Sequence, residues 1–162
     1  WLKRKTPQNI VIGGASGALP PVIGWTIATN SISIEPLTYF FIIFLWTPSH
    51  FWALSLYKVQ DYKKANIPMM PIANGIESTK KNILIYSLLM IPAVSLPYFV
   101  GFVGEVFLIA TLTLTFYYNY LCYQLYSFKK NKFEIKKAQQ IFGYSILYLF
   151  LIFVLFLIDK LI

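Results

Sequence analysis

The chain holds a single histidine, His50, inside the apolar stretch Trp46-Thr-Pro-Ser-His-Phe-Trp-Ala-Leu-Ser-Leu-Tyr57, which runs on into Lys58-Val-Gln-Asp-Tyr-Lys-Lys-Ala-Asn-Ile-Pro-Met-Met-Pro71. A charged residue inside an apolar span costs about 2.5 to 3.5 kcal/mol, so an ionisable side chain kept there marks a candidate site. Two readings stand for His50: a ligand-facing imidazole, or a neutral ring bonded to a neighbouring backbone carbonyl. Spacing adds a relation. His50, Tyr57 and Asp61 stand seven and four residues apart, and at ~100° per residue they share one helical face ~16 Å long if the helix continues. One ligand could touch both ends of that face. Asp61 by itself, flanked by Lys58, Lys63 and Lys64, reads equally as a solvated loop acid with weak ion pairs.

A second stretch, Leu2-Lys-Arg-Lys-Thr-Pro-Gln-Asn-Ile-Val-Ile-Gly-Gly-Ala-Ser-Gly-Ala-Leu-Pro-Pro-Val-Ile-Gly-Trp25, carries a basic cluster straight into a glycine-rich run. Lys3, Arg4 and Lys5, beside Thr6, Gln8 and Asn9, make a polar mouth able to grip a diphosphate, with Arg4 suited to paired oxygen contacts. Basic residues at a helix end are also ordinary topology signals and contacts for anionic lipid. Gly13 and Gly17 form a Gly-x-x-x-Gly pair, and Gly14 and Ala18 repeat the spacing one position on. Such pairs admit either another helix or a flat ligand close to the backbone. No Ser-His-Asp order, zinc-type cluster or Gly-x-x-x-x-Gly-Lys loop is present, which leaves hydrolase, zinc-enzyme and P-loop readings without support.

The elements that must position these residues are membrane helices. Of 162 residues, 57% are apolar, and the 14 Lys or Arg and 6 Asp or Glu crowd into short stretches between uncharged runs long enough to cross ~30 Å of hydrocarbon. The spans predicted are 9–29, 36–57, 82–103, 106–126 and 140–158. In lipid each must satisfy its own backbone hydrogen bonds, so an all-α bundle follows and a barrel of short alternating strands does not. Lys3 to Lys5, the lysines from Lys58 to Lys81 and those from Lys129 to Lys137 then fall on one side, with Lys160 alone opposite. The positive-inside rule makes the crowded side cytoplasmic or matrix. That placement, confined to loops and ends, argues against nucleic acid as the partner of the +8 net charge.

Pro20 and Pro21, and Pro92 and Pro97, should bend the first and third spans. Tyr117, Tyr118, Asn119, Tyr120, Tyr123 and Tyr126 read as an interfacial belt, and Cys122 as a buried, inert thiol.

Taken together, Lys3-Arg-Lys-Thr-Pro-Gln-Asn-Ile-Val-Ile-Gly-Gly14, Leu19-Pro-Pro-Val-Ile-Gly-Trp25, Thr47-Pro-Ser-His-Phe-Trp-Ala-Leu54 and Asp61-Tyr-Lys-Lys-Ala-Asn-Ile-Pro-Met-Met-Pro71 resemble the UbiA-type intramembrane prenyltransferases in content and in order. Among these, the branch acting on protohaem IX is the one they resemble. The likeness covers the first 71 residues by motif and the remaining spans by hydropathy. It implies nine helices and two acidic loop motifs that hold Mg²⁺ against a prenyl diphosphate, of which this chain would supply helices five to nine, as the C-terminal part, 1–162, of one domain. The first acidic motif would lie upstream, so the chain alone is expected to be inactive.

The activity implied is transfer of a farnesyl group from farnesyl diphosphate to a vinyl group of haem B, giving haem O. By the same resemblance Asp61 is the catalytic acid and Mg²⁺ ligand, Lys3, Arg4, Lys5, Asn9 and Lys64 hold the diphosphate, and His50, Trp46 and Tyr57 hold the haem. Two departures stand out: Tyr57 and Ala65 occupy the positions four away from Asp61 where the wider family often repeats Asp, and Ser49 stands where the haem branch commonly has proline. The implied setting is the lipid bilayer of a bacterial or mitochondrial inner membrane, with haem A synthase or cytochrome oxidase assembly factors as partners. The competing readings are a UbiA-type enzyme for another aromatic acceptor, such as a quinone precursor, and a non-catalytic membrane subunit or transporter half.

Overall fold

The structure, a computed structural model, describes residues 5–127 and 133–161. Among the described residues eight helices follow in order: α1 (Asn9–Ala18), α2 (Pro20–Thr29), α3 (Ile34–Tyr57), α4 (Val59–Lys64), α5 (Met70–Ala73), α6 (Ile76–Phe99), α7 (Glu105–Ser127) and α8 (Phe133–Asp159). Five stretches are long and apolar enough to cross a membrane: Asn9–Thr29, Ile34–Tyr57, Ile76–Phe99, Glu105–Ser127 and Ile135–Asp159. The five spans are those read from the sequence, with shifted edges. The third begins at Ile76 rather than Asn82, because the polar turn from Glu77 to Lys81 continues the helix that the hydropathy of the later residues announces. Gly75, at φ 84, starts that helix, and Gly101, at φ 76, follows its end; both conformations suit a residue without a Cβ.

Proline interrupts the first span, where a bend was expected. Pro20 and Pro21 open α2 directly after Leu19, and neither can donate to the turn of α1 before it. In the third span Pro92 and Pro97 lie inside α6, which continues from Ile76 to Phe99, with Pro97 in its last turn. At the end of α3, Lys58 leaves helical geometry (φ −107, ψ 18), so α4 is a separate short helix. The continuous helix that would have carried His50, Tyr57 and Asp61 on one straight face therefore stops at Tyr57.

Helices α3, α6, α7 and α8 close a ring in which each packs on the next and α8 returns to α3, while α1 and α2 lie along the outside of α3. The ring's core holds Ile42, Trp52, Met90, Val94, Tyr118, Leu121, Ile141 and Tyr148, all essentially buried. Cys122 is buried among them, as its apolar setting predicted. Alternating helix direction puts Lys5, the 58–75 segment and the start of α8 at one end. The other end is marked by Asp159 accepting the Gly104 N–H at 3.0 and 3.1 Å and by Lys160 on the Phe102 carbonyl and ring.

Candidate functional site

Pro48 shapes the middle of α3. It has no N–H for the Phe44 carbonyl, and the hydroxyls on either side turn inward onto their own helix, Thr47 to the Ile43 carbonyl at 2.7 Å and Ser49 to the Trp46 carbonyl at 3.0 Å. His50 follows on the face that meets α8. Its imidazole is sandwiched between the Trp46 ring, at a centroid distance of 4.2 Å, and the Phe142 ring at 4.5 Å, both nearly parallel to it. Tyr57 meets the same Phe142 edge-on at 5.9 Å. The three residues assigned to the haem thus form one aromatic stripe on α3, joined through a ring on α8.

Among the described residues, no backbone carbonyl bonds the His50 ring. Its Nδ1 lies 2.6 Å from the Ser145 hydroxyl, and the Trp46 indole N–H donates to the Ser145 carbonyl at 2.9 Å. Ser145 and Phe142 were not singled out from the sequence. A hydroxyl in the apolar run of α8 was the available signal, but it does not say which span it faces.

Beside this stripe a cavity of about 740 Å³ lies between α1 and α3, lined by Asn9, Gly13, Gly14, Gly17, Trp46 and Phe51 among others. The structure divides the two glycine registers. A Cβ on Gly14 would stand 3.1 Å from Thr47 Cγ2, whereas one on Gly13 or Gly17 would meet nothing within 4 Å. Gly14, which also borders the cavity, packs against α3 and Ala18 is fully buried, while Gly13 and Gly17 are open cavity wall. Phe51 and Trp46, which flank His50, both belong to that wall.

Asn9 carries the cavity to the charged end of the bundle, where Lys5, Lys64 and Asp61 also lie. Lys3 and Arg4 fall outside the described residues. Asp61 pairs with Lys58 at 3.3 Å, with side chains 64% and 52% exposed, so the pair is solvated and each partner can be recruited by another charge. Burial holds the neighbouring Tyr62 phenol above its usual range, with Tyr57 and Asp61 adding to the effect, and it stays a protonated donor beside the acid. Mg²⁺ is commonly held by one or two carboxylates together with phosphate oxygens and water. Among the described residues no three His, Cys, Asp or Glu side chains come together. Asp61 therefore fits one position of such a set and does not complete it.

The tyrosine-rich end of α7 is only partly a belt. Tyr117, Tyr120, Tyr123 and Tyr126 are exposed, but Tyr118 is fully buried and Asn119 nearly so, because they turn into the ring of helices. Tyr118 donates to the Ser49 hydroxyl at 2.8 Å.

Five membrane-spanning helices thus set a glycine-walled cavity beside an acidic and basic rim at one end of the bundle. The model of the UbiA prenyltransferase family matches residues 1–146, and the chain belongs to that family. It is an integral membrane protein. The relatives it resembles include proteins named protoheme IX farnesyltransferase from Pelagibacter ubique (77% identical over 99% of this chain and 53% of the relative). Those from Parvibaculum lavamentivorans (51% identical, 99% and 50%) and Neorickettsia sennetsu (45% identical, 98% and 51%) carry the same name. The chain thus spans about half the length of the curated relatives it matches. No solved structure matches it.

Proposed function

We propose that the protein to which this chain belongs transfers a farnesyl group from farnesyl diphosphate to a vinyl group of protohaem IX, and that residues 1–162 are the C-terminal part of its one transmembrane domain. The observation that carries this reading is the Trp46, His50 and Phe142 ring stack set beside a glycine-walled cavity that reaches the charged end. An apolar slot suits a prenyl chain, and flat aromatic walls suit a porphyrin. The names of the relatives support the same substrates, and the Thr47-Pro-Ser-His-Phe-Trp run favours haem over a quinone precursor.

In this reading Lys3, Arg4, Lys5, Asn9 and Lys64 hold the diphosphate, and Asp61 stands at its edge. Asp61 would contribute one ligand to a Mg²⁺, which when bound would supply positive charge against the departing diphosphate. The allylic C–O bond breaks with its electron pair going to the diphosphate. The faces of Trp46 and Phe51 shelter the resulting cation from water until a vinyl carbon of the haem attacks it. Water then adds to the cation left on the porphyrin side and releases a proton, giving the hydroxyethylfarnesyl product. His50, with Trp46 and Tyr57, seats the haem. The charged end faces the cytoplasm or matrix, in a bacterial or mitochondrial inner membrane, by the crowding of lysines there.

The test is analysis of haems extracted from cells carrying the full-length gene with Asp61→Ala. Haem O is lost while the protein still inserts, because the exposed pair with Lys58 contributes little to stability. Unchanged haem O would remove Asp61 from the chemistry.

A further inference from the structure

Ser145 lies on α8, 95 residues from its partner in sequence, and it holds the two rings on which the haem reading depends. Its hydroxyl has one proton. That oxygen sits 2.7 Å from the Phe142 carbonyl, a group that only accepts, so the proton points there. Facing His50 Nδ1 at 2.6 Å, the same oxygen is left as an acceptor, and the proton between them belongs to the imidazole. A neutral ring with its proton on Nδ1 carries its lone pair on Nε2.

The rest of the ring's surroundings agree with that assignment. Trp46 and Phe142 cover the two faces of His50, and Ser145 occupies the Nδ1 edge. Nε2 takes no hydrogen bond from a described residue and is not one of the fully sealed polar atoms left without a partner. The residue is 7% exposed, the Phe51 ring stands nearly perpendicular to it at 5.1 Å, and Nε2 is the ring nitrogen without a described partner. The backbone carbonyl of Ser145 meanwhile fixes Trp46, whose ring lies over His50.

We infer that Ser145 is a positioning residue for His50: by accepting from Nδ1 it sets the tautomer and ring orientation that offer the Nε2 lone pair to haem iron. The inference rests on the proposal that His50 meets the haem. Outer partners of this kind typically alter metal affinity by about 10- to 100-fold when removed, because the ligand loses both its fixed tautomer and part of its basicity.

The experiment is absorbance titration of the purified full-length protein with ferric haem B, in the wild type, Ser145→Ala, Ser145→Thr, His50→Ala and the Ser145→Ala/His50→Ala pair. Ser145→Ala should weaken haem binding about 10-fold or more and move the Soret band toward that of His50→Ala. Ser145→Thr, which keeps the hydroxyl, should restore both, and the double variant should match His50→Ala alone. If Ser145→Ala does not accumulate in the membrane, Ser145→Cys, of similar size and with a poor acceptor, carries the same expectation. Wild-type titration by Ser145→Ala together with weakened titration by His50→Ala overturns the role of Ser145 and leaves the haem reading standing. A further loss in the double variant beyond His50→Ala also overturns it, since Ser145 would then act through packing. Wild-type titration by His50→Ala removes the underlying haem reading instead.

Discussion

The phenol of Tyr118 donates to the hydroxyl of Ser49 across 2.8 Å, tying α7 to α3 one residue before His50. Ser49 passes its own proton to the Trp46 carbonyl, so the bond continues into the turn that carries the aromatic stripe. The serine occupies a position where the resembled haem branch commonly has proline, and here it gives α3 a hydroxyl that Tyr118 can use. Tyr118→Phe removes one buried hydrogen bond and no packing volume, so it should lower stability by about 1 kcal/mol. Thermal unfolding of Tyr118→Phe, Ser49→Ala and the double variant would check this. The two losses should be non-additive, as expected of residues sharing one bond.

The two glycine registers of α1 should separate in mutagenesis. Alanine in place of glycine inside a helix gains about 1 kcal/mol from propensity alone. At Gly17 nothing opposes that gain, so Gly17→Ala should hold or raise the unfolding temperature. Its methyl group enters the proposed prenyl slot, so KM for farnesyl diphosphate should rise. At Gly14 the new methyl meets Thr47 Cγ2 at 3.1 Å, and Thr47 is held by its bond to the Ile43 carbonyl. Overpacking of this kind costs about 1 to 3 kcal/mol, so Gly14→Ala should be the destabilised variant.

How much of this was legible in the sequence depends on the range of the force involved. The five spans were, because lipid demands a long apolar helix wherever the charges stop, and the break at Pro20 and Pro21 was, because the missing N–H is local. The stop at Lys58 was not: the polar residues that follow would suit either a continued helix or a bend. The glycine registers share one spacing, and which of them faces a helix is set by the rotation of α1 on α3. Ser145 lay furthest from view, since a serine in an apolar span satisfies itself on its own helix wherever it stands, and only the approach of α8 brings it to His50.

At the end of the bundle away from the proposed chemistry, Asp159 accepts the Gly104 N–H with both carboxylate oxygens and clamps the α6–α7 turn to the end of α8. Asp159→Ala should lower the unfolding temperature by an amount equivalent to about 1 kcal/mol. Haem O formation by the full-length protein, measured below that temperature, should stay at the wild-type level. A selective loss of activity would give this end a part in the reaction.

Trp46 does two things for His50, and two substitutions distinguish them. Trp46→Phe keeps a ring to lie over the imidazole and gives up only the indole N–H to the Ser145 carbonyl. That carbonyl lies within α8, whose own ladder already satisfies it, so the loss should be at most about 1 kcal/mol. The haem titration should move little. Trp46→Leu removes the ring, uncovers one face of the imidazole and widens the cavity whose wall Trp46 forms. Because an aromatic cover holds the ring plane against rotation as well as excluding water, Trp46→Leu should weaken haem binding and broaden the Soret band even though Ser145 still accepts from Nδ1. Equal titrations for the two variants would mean that Ser145 alone orients His50 and that the stack contributes only packing.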